Sequence, residues 1–244
     1  MRFFIVEIFG VPNHFYYICI ILNYCDKYMA NHPQWSDEYW LLLMQLYMKK
    51  PIGIKPLYSR AMVDLALMLH IEPKFLYDQM FFLQKSEQPS LKLLWDKYSK
   101  HPKKLEQKAK LIQEQFGFQH ADTFFQDVDI HETWEKDFRP LEADKELSPI
   151  KLIMILNLYF QLTPVTMVPE TPEIEDLAKL IHLNPEKITN IMDIYQICDP
   201  YLTRDSFMAI TPLLKPCEEI WKRFGNEDPQ NLYTLASQLK EYFL

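Results

Sequence analysis

The stretch DLAKLIHLNPEKITNIM, at residues 176–192, decides the fold because the chain contains it twice in related form. The stretch DLALMLHIEPKFLYDQM stands 112 positions earlier, at residues 64–80, and shares its Asp, Leu, Ala, His, Pro and Met in matching places. Aligned without a gap, residues 39–84 and 151–196 have nine identities, whereas about three are expected by chance from the usual residue frequencies. We therefore predict an internal duplication.

The match continues towards the C-terminus after an insertion of about 14 residues in the second copy. Trp95 then pairs with Trp221, and Phe116 with Phe243. We predict that each copy holds five helices and that the two copies pack with approximate two-fold symmetry. The expected boundaries are repeat 1 at residues 36–118, an acidic linker with one short helix around Trp134 at residues 119–147, and repeat 2 at residues 148–244.

The composition favours helices over strands. Only 4 of the 244 residues are Gly, so tight turns that need a positive φ are poorly supplied, and the 17 Pro fall mostly between apolar runs. The hydrophobic content of 48% is sufficient for a packed core. We predict an all-α protein in which Ser36 caps the first helix. The prolines predicted to open later helices are Pro73, Pro102, Pro149, Pro172 and Pro185.

Residues 1–35 form an apolar N-terminal segment with two interpretations. Residues 1–28 are rich in Phe, Tyr, Ile and Cys, but Glu7 and Pro12 interrupt what would be the apolar region of a secretory signal, and no A-x-A-like cleavage site precedes Met29. Either the segment packs on the body of the protein, or the start is mis-assigned and translation begins at Met29. The sharp change in composition at Met29 favours the second interpretation.

Charge, hydrophobicity and cysteine content indicate which partners and which cellular location to expect. The net charge of −7 and the pI near 5.5 oppose binding to nucleic acid or anionic membranes unless a local basic patch offsets them. No apolar run approaches the ~20 residues that a membrane-spanning helix needs. The four cysteines form neither a CxxC pair nor a disulfide framework, so we expect them to be reduced. We predict a cytoplasmic protein that does not bind membranes.

The repeated stretch resembles the helix-turn-helix superfamily in its general pattern, more strongly in the second copy. There Ala178 corresponds to the close contact between helices and Leu183 to the buried turn residue, and Ile188 and Ile191 anchor the second helix inward. Where the family commonly has Gly at the turn, this chain has a histidine in each copy. The resemblance covers about 20 residues per copy.

If the resemblance extends to function, it implies a DNA-reading second helix. The outward residues placed in a major groove would be Asn184, Glu186, Thr189 and Asn190. The local charge opposes this, because residues 173–197 carry two lysines against five carboxylates, whereas phosphate contacts require cations. A packing or protein-contact role is therefore favoured over groove readout.

The most basic stretch is residues 92–110, with seven lysines against Asp96 and Glu106. Its counterpart in the second copy, residues 218–240, has a net charge of −1, so the fold does not require this charge. The stretch is either a solvated helix surface, able also to dock the acidic linker, or a phosphate-contacting face; we favour the first. A nucleic-acid site would include Lys92, Lys97, Lys100, Lys103, Lys104, Lys108 and Lys110.

No catalytic or metal-binding motif is present in the sequence: there is no G-x-S-x-G elbow, P-loop or GxGxxG. His70 and His182 occupy equivalent positions, with Lys74 and Glu186 at i+4 and no HxxxH or HExxH pattern, so we predict turn histidines bonded to backbone carbonyls. We predict no enzyme, cofactor or metal site. The expected function is macromolecular interaction, protein-binding or scaffold-like, and the alternative is a helix-turn-helix DNA-binding transcriptional regulator.

Overall fold

The computed structural model of the protein describes residues 35–85, 89–115, 133–202 and 211–244. Within these ranges the chain forms α-helices and short 3-10 helices and no β-strand, which confirms the prediction of an all-α protein. Of the predicted N-terminal segment only Trp35 is described, so the proposed start at Met29 lies outside the described residues. In the described ranges, every helix is too short or too polar to cross a bilayer.

In the described ranges, the α-helices fall into two groups of five joined by a short helix. The first unit contains α1 (Tyr39–Met48), α2 (Arg60–Leu69), α3 (Pro73–Lys85), α4 (Pro89–Tyr98) and α5 (Pro102–Gln115). Helix α6 (Thr133–Phe138) follows. The second unit contains α7 (Pro149–Tyr159), α8 (Pro172–Ile181), α9 (Pro185–Cys198), α10 (Leu214–Phe224) and α11 (Pro229–Leu239). Two 3-10 helices lie at Pro164–Thr166 and Lys240–Tyr242.

Helix starts are set largely by proline. The predicted positions are confirmed for five helices, which begin at Pro73, Pro102, Pro149, Pro172 and Pro185. Proline suits this place because the first N–H groups of a helix have no partner within the helix and its fixed φ is already helical. The prediction for Ser36 is wrong. Its hydroxyl accepts the Glu38 N–H at 3.5 Å in a preceding turn, and α1 begins only at Tyr39.

The two central helices are α1 and α7. Six of the ten residues of α1 and eight of the eleven residues of α7 are buried, and these residues lie on all sides of each helix. A helix that is apolar all round belongs inside a core, not on its surface. Helices α2, α3 and α5 pack around α1, and α8, α9, α10 and α11 pack around α7. Each unit therefore has its own hydrophobic core.

The same turn follows α2 and α8. His70 and His182 both have left-handed backbone, with φ of 54°. The N–H of the next residue donates to the carbonyl of Ala66 at 3.1 Å in the first unit and of Ala178 at 3.0 Å in the second. Gly is the usual residue at such a helix end, because left-handed backbone costs an L-residue about 1–2 kcal/mol. Both histidines therefore end their helices in a sharp reversal that sets the angle of the next helix.

Helix α6 joins the two cores. The prediction of a short helix around Trp134 is confirmed. Trp134 packs against the first core, whereas Phe138 and Leu141 pack against the second, and Leu147 is fully buried there. The later part of the predicted linker is therefore packed structure, because its few apolar side chains bind it to both units.

Aromatic rings extend this junction between the units. The ring of Phe138 lies 5.9 Å from that of Tyr58 and 5.3 Å from that of Tyr242, between centroids. The Arg60 guanidinium lies 5.9 Å from the Tyr242 ring centroid, so the C-terminal 3-10 helix packs against the start of α2. These contacts fix the two units against each other on the side of α6.

Candidate functional site

The seven lysines predicted as a nucleic-acid contact lie on α4, α5 and the turn between them, and all seven are exposed. On α5 the buried residues Leu105, Ala109 and Ile112 recur at i, i+4 and i+7, where α5 packs against α1. The other sides of α5 therefore face solvent. Helices α4 and α5 and the turn between them form a hairpin, and we call its exposed lysines and leucines the lysine surface; it consists of Lys92, Leu93, Lys97, Lys100, Lys103, Lys104, Lys108, Lys110 and Leu111.

The lysines of α5 form two rows along the helix. Lys103 and Lys110 lie seven positions apart in one row, and Lys104 and Lys108 form the neighbouring row, which ends at Leu111. With a rise of about 1.5 Å per residue, positions seven apart are about 10.5 Å apart along the axis. In a partner helix lying along α5, side chains seven positions apart have the same separation along the helix axis.

Aromatic contacts anchor α4. Leu91 and Tyr98 are buried, and the Trp95 ring lies 5.6 Å from the ring of Tyr47 on α1. The Lys97 Nζ lies 5.4 Å from the centroid of the Tyr98 ring, a cation–π contact at the edge of the lysine surface. The hairpin is thus held by its inner side, and its outer side is a preformed surface.

Two leucines lie exposed among the lysines. Leu93 is 70% exposed and Leu111 is 48% exposed. The charge pattern of residues 92–110 does not reveal that these two leucines are exposed. On α5 the apolar periodicity could have indicated this exposure. Leu105, Ala109 and Ile112 lie on the side that faces the core, and Leu111 lies about a third of a turn or more away from them around the helix. The lysine surface therefore combines cations with aliphatic groups.

Few carboxylates offset the positive charge of the lysine surface. Lys110 Nζ lies 3.7 Å from Glu114 Oε1, and these side chains are 73% and 49% exposed. Exposed pairs of this kind contribute about 0–1 kcal/mol, so Lys110 can exchange this carboxylate for another. Within residues 92–110 the acidic residues are Asp96 and Glu106.

Three carboxylates in the later part of the acidic linker make ion pairs with cations of the second unit. Asp137 receives two hydrogen bonds from Arg223, each of 2.7 Å, and Lys187 pairs with Asp144 and Glu146. These contacts hold the linker against the second unit. The expectation that the linker docks on the lysine surface is untested for residues 119–132, which lie outside the described ranges.

In the second unit the repeated helix pair is α8 and α9, and the residues predicted to face inward do so. Ala178, Ile188 and Ile191 are buried, and Leu183 packs against the second core. The Asn184 Oδ1 accepts the Glu186 N–H at 3.1 Å, which makes Asn184 the cap of α9. The resemblance to the helix-turn-helix superfamily itself stays a prediction.

The prediction that Thr189 faces outward is wrong. Thr189 is 9% exposed, and its Oγ1 donates to the Glu186 carbonyl at 2.9 Å. The reason is that α9 packs against α7, α8 and α10, so its buried arc is wider than that of a helix covered on one side. The other predicted groove-facing residues, Asn184, Glu186 and Asn190, are exposed, and the Asn184 side chain is engaged in capping.

The cations of this helix pair are already matched by carboxylates. Lys179 lies 3.7 Å from Glu175 within α8. Lys187 lies 2.5 Å from Asp144 and 2.7 Å from Glu146, and its hydrogen bond lowers the pKa of Asp144. Phosphate binding would have to compete with these pairs, so α8 and α9 are a poorer anion site than the lysine surface.

His70 and His182 share a backbone conformation but have different surroundings. The His70 Nδ1 lies 3.1 Å from Oε1 of Glu135, a carboxylate of α6 that is only 2% exposed and also lies 3.9 Å from Arg139. The His70 Nδ1 thus contacts the buried carboxylate of Glu135, whereas we predict a bond to a backbone carbonyl. His182 is exposed.

A cleft of about 260 Å³ lies between α1, α2 and α5. Its described lining consists of Leu42, Gln45, Leu46, Lys49, Ala61, Asp64, Leu65, Met68 and Gln113. This lining contains no Ser, Cys or His, and its charged residues are Lys49 and Asp64. The cleft gives no argument for catalysis, and the absence of enzyme activity stays a prediction.

The described cysteines are buried or half-buried thiols. Burial raises the pKa of Cys198 to about 11 and that of Cys217 to about 12. The thiolate is the reactive form of cysteine, and burial disfavours it at both positions. Within the described ranges no three His, Cys, Asp or Glu side chains are grouped to hold a metal ion.

Comparison with protein-family models, with curated proteins and with solved structures gives no match. The function therefore has to be argued from the surface chemistry of the chain itself. Within the described residues, the lysine surface combines a concentrated charge, exposed apolar groups and a support that is packed against α1.

Proposed function

We propose that the protein is a cytoplasmic, non-catalytic macromolecular-interaction protein, protein-binding or scaffold-like, and that the lysine surface is its binding surface. The observation that carries this proposal is the presence of Leu93 and Leu111, both exposed, among seven exposed lysines. A protein partner can pair with the ammonium groups and cover the leucines at the same time. A nucleic-acid backbone satisfies only the cations.

We also propose that the two units are copies of one five-helix ancestor. Helices α2 and α8 begin and end 112 positions apart, α3 and α9 begin 112 positions apart, and the histidine of each turn is left-handed. The approximate two-fold relation between the copies stays a prediction. In this proposal α10 and α11 are the counterparts of α4 and α5, and the lysine surface is a property of the first copy alone.

Site-specific cross-linking tests the proposed binding surface. A photoreactive residue at Gln107, between Lys103 and Lys110 on α5, is expected to capture a protein partner in cells. The double variant Lys103→Glu/Lys110→Glu should lose this product, because charge reversal opposes an acidic partner. Capture of nucleic acid alone would contradict the proposal.

The second unit offers a matched control for this experiment. Lys215 and Lys222 are exposed and lie seven positions apart on α10, like Lys103 and Lys110 on α5. The variant Lys215→Glu/Lys222→Glu makes the same change in net charge and should keep the cross-linked product. Equal loss in both double variants would show that only total charge matters, against a specific surface.

The second candidate is a helix-turn-helix DNA-binding transcriptional regulator, favoured by the number of exposed lysines on the same surface. It predicts duplex binding that weakens steeply with salt, because each lysine that neutralises a phosphate adds about 0.9 to the steepness of the salt dependence. Lys103→Glu/Lys104→Glu should then weaken binding and flatten its salt dependence. A wild-type chain without salt-sensitive DNA binding removes this candidate.

A further inference from the structure

We infer that the lysine surface binds an acidic amphipathic helix, a partner segment with rows of carboxylates beside one apolar stripe. This inference rests on the proposed protein-binding function and specifies the chemistry of the partner. It follows from three features of the hairpin: the spacing of its cations, the position of its exposed leucines and the packing of α4 and α5 against α1.

The spacing of the cations suits a helix. Lys103 and Lys110 repeat at seven positions on α5, and Lys104 and Lys108 repeat at four in the adjacent row. Carboxylates at i, i+4 and i+7 of a partner helix repeat at the same intervals along its axis, so several pairs form in one alignment of the two helices. An extended acidic chain advances about 3.3 Å per residue and matches this spacing less well.

The leucines select for apolar groups in the partner. Leu111 continues the row of Lys104 and Lys108, and Leu93 lies on the outer side of α4, opposite the buried Leu91 and Tyr98. Burial of such side chains is favourable in proportion to the apolar area removed from water. A polyanion without apolar side chains cannot supply this contribution, so the surface distinguishes an amphipathic segment from a merely acidic one.

The support makes the surface preformed. Leu105, Ala109 and Ile112 fix α5 against α1, and the contact between Trp95 and Tyr47 fixes α4. Binding therefore orders only the partner and a few lysine side chains, which lowers its entropic cost. The surface corresponds to the common mode in which an amphipathic helix lays its apolar stripe along a helical receptor.

Two synthetic peptides of identical Glu and Leu composition test the inference. In the first, of about 18 residues, the leucines lie on one helical stripe between rows of glutamate; in the second their order is scrambled. Fluorescence anisotropy with the full chain should show at least ~10-fold tighter binding of the first peptide, because only it can align charge and apolar groups together.

Variants separate the two contributions to binding. Lys103→Glu/Lys110→Glu should weaken binding of both peptides by ~10-fold or more and reduce the salt dependence. Leu93→Gln/Leu111→Gln should weaken only the amphipathic peptide, by ~10-fold, and leave the salt dependence unchanged. The controls Lys215→Glu/Lys222→Glu and Tyr233→Gln, on exposed residues of the second unit, should leave Kd unchanged. Circular dichroism and thermal melting establish that each variant is folded.

Four outcomes would overturn the inference: equal binding of the two peptides, tighter binding of duplex DNA than of the amphipathic peptide, binding only to vesicles containing anionic lipid, or no peptide binding up to millimolar concentration. These outcomes differ from failure of the proposed function. If the cross-link at Gln107 captures a protein while the peptides bind equally, the partner is a protein of other chemistry. If the cross-link captures nucleic acid alone, the proposed function fails as well.

Discussion

The two hairpins, α4–α5 and α10–α11, present different surfaces on similar supports. In each unit the last helix packs against the central helix, α5 on α1 and α11 on α7, through a buried leucine and alanine spaced by four: Leu105 and Ala109 in the first unit, Leu232 and Ala236 in the second. The outer side of the first hairpin is strongly basic, whereas residues 218–240 carry a net charge of −1. Packing thus restricts the inner side, and the outer side is free to take on a binding role.

The turns after α2 and α8 show the same contrast on a smaller scale. Both use a left-handed histidine with φ of 54°. His70 contacts the buried Glu135 of α6, whereas His182 is exposed. One backbone requirement is therefore combined with two side-chain environments. Substitutions at matched positions can separate what the fold needs from what each unit has added.

The largest expected effect on stability comes from truncating a core residue, and this effect should be similar in the two units. Leu76 and Ile188 are fully buried at equivalent positions of α3 and α9. Leu76→Ala and Ile188→Ala should each lower the free energy of unfolding by about 2–5 kcal/mol, because each removes apolar contacts and leaves a cavity. Denaturant titration followed by tryptophan fluorescence measures this. A decrease below about 1 kcal/mol for one variant would mean that the two positions are not equivalent in packing.

The attachment of α6 to the second unit should have the next largest effect. Arg223 donates two hydrogen bonds of 2.7 Å to Asp137, whose side chain is largely buried. Arg223→Ala should lower the unfolding free energy by about 1–3 kcal/mol, since it leaves the carboxylate without this charged partner. Arg223→Lys should recover only part of this stability, because lysine cannot donate in a bidentate geometry. Equal stability of the alanine and lysine variants would show that this geometry does not matter.

Glycine at the two turns should shift stability in opposite directions. His182→Gly should raise the unfolding free energy by up to about 1 kcal/mol, because it relieves left-handed backbone at an exposed residue. His70→Gly relieves the same backbone but removes a contact of the buried Glu135, so it should lower stability by about 1 kcal/mol. Thermal unfolding of the two variants measures the signs. The same sign for both would show that the contact with Glu135 contributes little.

A smaller effect on stability, which depends on pH, is expected at Asp144, where the linker contacts Lys187 of the second unit. The hydrogen bond from Lys187 lowers the pKa of Asp144 below its ordinary value of 3.8. A carboxyl with a lowered folded-state pKa stabilises the fold above its unfolded-state pKa, and this contribution disappears as pH falls through the folded-state pKa. Asp144→Asn should therefore destabilise by less than about 1 kcal/mol at pH 7, and the difference from wild type should vanish as pH falls below 3.8. A difference that persists at about pH 2 would assign the effect to packing.

The sequence was sufficient where structure depends on local residues. Proline positions and the repeated stretch predict where α3, α5, α7, α8 and α9 begin, because these signals act within one turn of helix. The sequence failed where the outcome depends on distant neighbours. Thr189 is buried because α9 is covered by three helices, and Glu135 is buried beside His70, which lies 65 positions away in the chain.

The positive charge of the candidate site could be predicted from the sequence, but its exposed apolar groups could not. The seven lysines stand out in the sequence, and their exposure follows from their high hydration. The role of Leu93 and Leu111 depends on which side of each helix packs inward, and this is known only once α5 is placed against α1. Without the leucines the surface is equally suited to phosphate; the leucines are the reason why we propose a protein partner.

The smallest expected effect on stability belongs to the substitutions that should have the largest effect on binding. Lys103→Glu/Lys110→Glu alters exposed side chains on α5 and should change the unfolding free energy by no more than about 0.5 kcal/mol, as should Lys215→Glu/Lys222→Glu on α10. Denaturant titration of both variants checks this. If the α5 variant no longer binds its partner at unchanged stability while the α10 variant still does, the difference between the hairpins is functional. If instead the α5 variant is strongly destabilised, these lysines stabilise the first unit, and the two hairpins differ in packing as well as in charge.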